Sequence, residues 1–135
     1  NASKLLGFKL KISTPNCYDP DNYTLEKFGE NVELCDIPGS AADNADVVTT
    51  DVWSSMGDEN EVEERKRAFK RYQVNMNLMS KTKNDSIFLH CLPAHRGEEI
   101  DNDILDSKYS KVWQQAHNRL YSSMALIDFL LSEDS

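Results

Sequence analysis

A chain of 135 residues with 39% apolar and 28% charged side chains holds core material for one folded domain and too little length for a second. Its formal charge of −8 excludes a general nucleic-acid surface or a basic membrane patch, since both neutralise phosphate with clustered Lys and Arg; a small anion can still bind at one local site. Cys17, Cys35 and Cys91 form no CxxC spacing, so neither a disulfide framework nor a structural metal is indicated, and a cytoplasmic, reducing setting is expected. No run approaches the ~18 apolar residues of a membrane span.

Asn1 to Gly7 has the form of the last turns of a helix closed by glycine, with no residue to cap its start, so a helix entered midway is expected. Phe8 to Ser13 reads as a short strand, ended by Thr14-Pro15 and the turn-rich Asn16 to Pro20. Leu25 to Gly29 is expected as a helix, Val32 to Cys35 as a weak second strand, Ala41 to Asn44 as a short helix or turn, and the β-branched run Ala45 to Asp51 as a third strand. Glu61 to Tyr72 reads as an exposed helix, Met76 to Lys81 as another, and Ser86 to His90 as a buried strand. Ile100 to Asp106 is expected as a short helix, Lys111 to Trp113 as an edge strand, and Gln114 to Leu131 as a long helix. Trp113, Ala116, Leu120, Met124, Ile127 and Leu131 recur at steps of three and four and predict one buried stripe. The acidic runs Asp58 to Glu64 and Glu133-Asp134 read as solvated faces or helix starts.

Strands alternating with helices define the fold class as α/β: a three-layer α/β/α domain with a mainly parallel, Rossmann-like sheet, because parallel neighbours need crossover connections. Such sheets bind ligands in the crevice beyond the carboxyl ends of their strands, so the segments directly after each strand matter most. After the third strand comes Asp51-Val52-Trp53-Ser54-Ser55-Met56-Gly57, with a carboxylate and hydroxyls that suit an ammonium group and backbone N–H groups that suit a carboxylate. By itself the same pattern also describes a capped turn.

After the buried strand comes His90-Cys91-Leu92-Pro93-Ala94-His95-Arg96-Gly97. Proline fixes the local path and could hold the Leu92 carbonyl towards the crevice. Adjacent residues on an extended strand point to opposite faces, which argues against His90 and Cys91 as a base–nucleophile pair; Cys91 as a small buried apolar residue is the competing reading. His95, Arg96 and the acids after Gly97 read as a solvated loop. Arg119 lies off the apolar stripe of the last helix, where a guanidinium can reach a phosphate or carbonyl, or simply face solvent.

Taken together, Asp-Val-Trp-Ser-Ser-Met-Gly (51–57), His-Cys-Leu-Pro (90–93) with Ala-His-Arg-Gly-Glu-Glu-Ile (94–100), and His-Asn-Arg (117–119) resemble the ornithine carbamoyltransferase family from about Leu6 to Leu131. The resemblance implies the second, ornithine-binding domain of such an enzyme, spanning residues 1–135, cut at its N-terminal helix. The last helix, 114–131, would pack on a missing carbamoyl-phosphate domain. The implied reaction moves a carbamoyl group from carbamoyl phosphate to the δ-amine of L-ornithine, in arginine metabolism, by a homotrimer that uses no metal or organic cofactor. Carried over by motif position, Asp51 and Ser55 would hold the α-amino group and the Met56 N–H the α-carboxylate. Cys91, with Asp51, would orient the δ-amine and help it lose its proton; on the carbamoyl-phosphate side stand Cys91, the Leu92 carbonyl, which would contact the carbamoyl or amine nitrogen, and Arg119.

The sequence departs from the family at His117, where Glu usually precedes Asn-Arg. It also lacks the Ser-Thr-Arg-Thr and His-x-x-Gln motifs of the first domain, so the fragment alone is expected to be inactive. The alternatives are a carbamoyltransferase for another amine or amino acid, such as putrescine, and a non-catalytic binding domain.

Overall fold

The computed structural model describes residues 1–54 and 59–132. Ser55, Met56, Gly57 and Asp58, together with Glu133 and Asp134, lie outside the described residues. Ten helices and strands are set out here in chain order. Helix α1 (Ala2–Leu6) ends at Gly7, whose φ of 71° allows its N–H to close on the Ser3 carbonyl at 2.9 Å. Strand β1 (Leu10–Ile12) then leads to α2 (Asn22–Phe28), a 3-10 turn over Gly29–Asn31, and β2 (Val32–Leu34). Helix α2 starts earlier than expected because Asp21 caps it, accepting the Thr24 N–H at 2.8 Å.

Helix α3 (Pro38–Ala42) precedes β3 (Val47–Thr50), and α4 (Glu59–Phe69) runs on into a 3-10 turn at Lys70–Tyr72. Helix α5 (Met76–Met79), capped by the Asn75 side chain on the Leu78 N–H at 2.9 Å, leads to β4 (Ile87–His90). A 3-10 turn at Ile104–Asp106 and the long α6 (Val112–Ser132) complete the chain. Strands β1 and β2 pair in parallel, as do β3 and β4, and each pair is joined through helices. The fold is therefore α/β with a parallel, Rossmann-like arrangement, as alternation predicts. Among the described residues no helix is long and apolar enough to cross a membrane.

Three expectations need correction. The edge strand at Lys111 to Trp113 is a single parallel bridge, Ser110 beside Phe88, because Val112 already starts α6 with its side chain fully buried. The helix expected from Ile100 shrinks to Ile104–Asp106, since Asp101 Oδ1 accepts the Asp103 and Ile104 N–H groups at 3.1 and 2.8 Å and turns the chain first. The third concerns only the core reading of the α6 stripe: Trp113, Leu120, Met124, Ile127 and Leu131 are all more than half exposed, the state expected of it if residues 114–131 pack on a separate domain. Periodicity identified an apolar face without identifying what faces it.

The core sits under β4, where Val74, Met79, Phe88, Ile100, Ile104, Leu105 and Val112 are buried together. A large apolar side chain fully buried there contributes about 1.5–3 kcal/mol relative to exposure. This cluster fixes the strand from which the site residues project.

Candidate functional site

The register of β3 against β4 builds the site. Thr50 pairs with His90, so the next residue of each strand, Asp51 and Cys91, emerge side by side at the carboxyl edge. Alternation then puts His90 inside and Cys91 outside: His90 is 1% exposed and Cys91 is exposed. The two therefore do not form a nucleophile–base pair.

Cys91 Sγ donates to Asp51 Oδ1 at 3.2 Å, and the same oxygen accepts the Val52 N–H at 2.8 Å. The bond to Asp51, partial desolvation and the Asp51 charge push the thiol above its usual range, while the Cys91 backbone and the Arg119 guanidinium pull the other way. Near neutral pH Cys91 is a protonated thiol and so a weak nucleophile. The Arg119 guanidinium, on α6, is the weakest of these influences.

Leu92 bends the chain away from the edge, with φ 57° and a cis bond to Pro93. Its side chain packs on the core cluster. The turn is tied from three directions. The His90 N–H donates to Gln115 Oε1 at 2.9 Å, the Leu92 N–H donates to His90 Nδ1 at 3.0 Å, and Cys91 holds Asp51.

The loop leaving β3 is anchored by Trp53, which is buried. Its ring stacks near Phe69 at 6.3 Å, Phe69 meets Tyr18 edge-on at 4.9 Å, and the Arg65 guanidinium donates to the Trp53 carbonyl at 3.5 Å. Ser55 and Met56 follow this anchor, beyond the described residues. Asp51, Cys91 and Leu92 are thus gathered at one edge, and Arg119 on α6 reaches them only through its charge on the thiol.

The segment after Pro93 is not the solvated loop that its charges predict. Arg96 pairs with Asp106 at 2.8 Å and donates to the Asn102 carbonyl, Gly97 (φ 88°) closes on the Ile100 carbonyl at 2.7 Å, and Lys66 pairs with Glu98 at 2.8 Å. Glu99 is fully buried. Trp53, Gln115 and Glu99 were missed as parts of the site's support. For Gln115 the sequence carries no signal, since its partner is a backbone N–H on another element.

Among the described residues, two groups of side chains bring three ligand-type atoms within 4.8 Å: Asp51, His90 and Cys91, and His95, Glu98 and Glu99. In the first, His90 Nδ1 is taken by the Leu92 N–H and Cys91 by Asp51; in the second, Lys66 holds Glu98. Each set thus has at least one member held by a neighbouring group of the protein.

A parallel α/β domain whose paired strand ends present a carboxylate, a thiol and a nearby guanidinium has the form of a small-molecule half-site. The chain belongs to the aspartate/ornithine carbamoyltransferase family, matching its Asp/Orn binding domain over residues 1–130. It is similar to an ornithine carbamoyltransferase of Acinetobacter baumannii, 50% identical over 98% of this chain and 44% of the relative, and to that of Hydrogenovibrio crunogenus, 47% identical over the same shares. Among solved structures, the ornithine carbamoyltransferase of Pyrococcus furiosus superposes with a TM-score of 0.84 at 44% identity, over 93% of this chain and 42% of that one. The Burkholderia thailandensis enzyme gives 0.83 at 41%, over 96% and 41%. The chain spans less than half the length of the relatives it matches.

Proposed function

We propose that this chain is the ornithine-binding half of a cytoplasmic ornithine carbamoyltransferase of arginine metabolism, which joins carbamoyl phosphate and L-ornithine to give L-citrulline and phosphate. The observation that carries this reading is the Asp51–Cys91 hydrogen bond at the shared edge of β3 and β4, with Arg119 acting on the same thiol. Asp51 and Ser55 receive the ornithine α-amino group and the Met56 N–H its carboxylate, which leaves the δ-amine beside Cys91. An amine attacks only when neutral, so acceptors that orient it and take up its proton lower the barrier.

The δ-nitrogen forms a bond to the carbamoyl carbon, the carbon–oxygen bond to phosphate breaks with its electron pair leaving on phosphate, and the departing phosphate takes up the proton that the nitrogen loses. Arg119 and the Leu92 carbonyl position carbamoyl phosphate, the guanidinium offsetting charge on the oxyanion and the departing phosphate. No metal or organic cofactor enters these steps. The carbamoyl-phosphate domain is the partner that covers α6, whose exposed Leu120, Met124, Ile127 and Leu131 support an apolar interface. The assembled enzyme is a homotrimer with no nucleic-acid role.

Citrulline formation tests this on the chain alone and on a hybrid joined to the remaining part of the Acinetobacter baumannii relative. The hybrid turns over ornithine in preference to putrescine, and the chain alone does not. Turnover by the isolated chain would sink the half-site reading; an inactive but folded hybrid would favour a binding domain. Within the hybrid, Asp51→Asn lowers turnover about 10²-fold or more, the usual size of a lost acid–base or orienting group.

A further inference from the structure

Glu99 is an unusual residue to find inside this domain. It is fully buried, and burying a carboxylate is costly unless something inside the protein answers it. The Lys66 ammonium engages Glu98 rather than Glu99. His95 Nδ1 stands 3.9 Å from Glu99 Oε2 on a ring that is about half exposed, while the His95 N–H donates to Oε1 at 2.6 Å. The buried group facing Glu99 is the imidazole of His90: Nε2 lies 3.3 Å from Oε1, with both side chains at 0% exposure. The contact is at ion-pair distance without the alignment of a hydrogen bond.

The other nitrogen of that ring is already committed. His90 Nδ1 accepts the Leu92 N–H at 3.0 Å, and a ring nitrogen that accepts carries no proton. The proton therefore sits on Nε2, the atom facing Glu99. Which nitrogen is protonated is set by what the other side of the ring meets, so the carboxylate and the Leu92 amide choose the same tautomer together.

We propose that Glu99 is a positioning residue for the Cys91–Leu92 turn: in buried contact with His90 Nε2, it holds the imidazole in the tautomer whose Nδ1 accepts the Leu92 N–H. Glu99 touches no substrate. It acts through His90 on a turn already tied by Asp51 and Gln115, and its catalytic meaning rests on the transferase reading above, though the geometry does not.

Long-range proton–nitrogen NMR of the 135-residue chain reads the His90 tautomer directly, and amide exchange reads the Leu92 N–H. The wild type shows the Nε2–H tautomer with a slowly exchanging Leu92 amide. Glu99→Leu, which removes both acceptors, speeds exchange at Leu92 about tenfold relative to Leu89 in β4, the size of one lost hydrogen bond, and allows the other tautomer. Glu99→Gln, which keeps an acceptor at the same reach, restores the wild-type pattern.

An Nδ1–H ring in the wild type overturns the proposal whether or not the variants fold. So does a Leu92 amide that ignores Glu99→Leu in a folded chain. The citrulline assay on the hybrid separates this from the reading it rests on. No citrulline with His90 as Nε2–H sinks the transferase reading and keeps the positioning role, whereas citrulline with an Nδ1–H ring does the reverse.

Discussion

The β3–β4 region and helix α6 carry comparable apolar side chains and treat them in opposite ways. Beneath β4, Phe88, Met79, Ile100 and Ile104 are fully buried, whereas along α6 Leu120, Met124, Ile127, Phe129 and Leu131 are each more than half exposed. Hydrophobic periodicity marks both regions and does not tell them apart. What differs is the neighbour: β4 is flanked by β3 on one side and by Ser110 on the other, while only the first residue of α6 is buried. An apolar face is a statement about where a partner belongs, and the partner need not lie in the same segment of chain.

The largest test of that contrast is a pair of truncations. Phe88→Ala opens the core and costs about 3–5 kcal/mol in urea unfolding, a large share of a typical domain's total of about 5–15 kcal/mol. Phe129→Ala on α6 stays within about 0.5 kcal/mol, as expected for a surface substitution. Equal costs would mean that α6 is packed in solution. Asn75→Ala comes next, removing the cap of α5 beside the core for about 1 kcal/mol; an unchanged unfolding midpoint would detach that helix from the core's stability.

Smaller effects are read at the thiol. Asp51→Asn removes the charge that helps to raise the Cys91 pKa, so the pH profile of iodoacetamide alkylation moves to lower pH; a profile that stays put would separate Asp51 from the thiol. The sign for stability follows. A group whose folded pKa is raised contributes its increment fully below the unfolded pKa and loses it as pH rises through the folded one, so the Asp51→Asn protein gives up less of this increment on the alkaline side. Arg119→Ala acts in the opposite sense and by less, moving the profile to higher pH, because Arg119 is the weakest of the influences named on that thiol. A shift downward would remove Arg119 from the site.

Much of this was legible in the sequence. The alternation of strand and helix gave the fold class, and the residues following Thr50 and His90 pointed to the edge where Asp51 and Cys91 meet, because strand ends can be located without knowing the sheet. The register that sets Asp51 against Cys91 was not legible, since it depends on two segments forty residues apart. Glu99 was misread for a related reason: beside Gly97 and Glu98 its charge reads as solvent-facing, and its burial follows from a histidine nine positions earlier turning inward. Asp21 was the easier miss, because a capping Asp three residues before a Thr is a local signal. Its two bonds from Thr24 hold its carboxyl below the usual range, so the stability it contributes is present above the unfolded pKa and is lost as pH falls through the folded one.

The bond from the His90 N–H to Gln115 reaches from the strand end to the first full turn of α6. A helix of 21 residues extends about 30 Å, and this one is fastened close to one end. It is an arm rooted at the edge that carries Cys91, with Leu120 nearer the root and Leu131 at the far end. Whatever covers that arm is tied by one hydrogen bond, through Gln115, to the strand that carries Cys91.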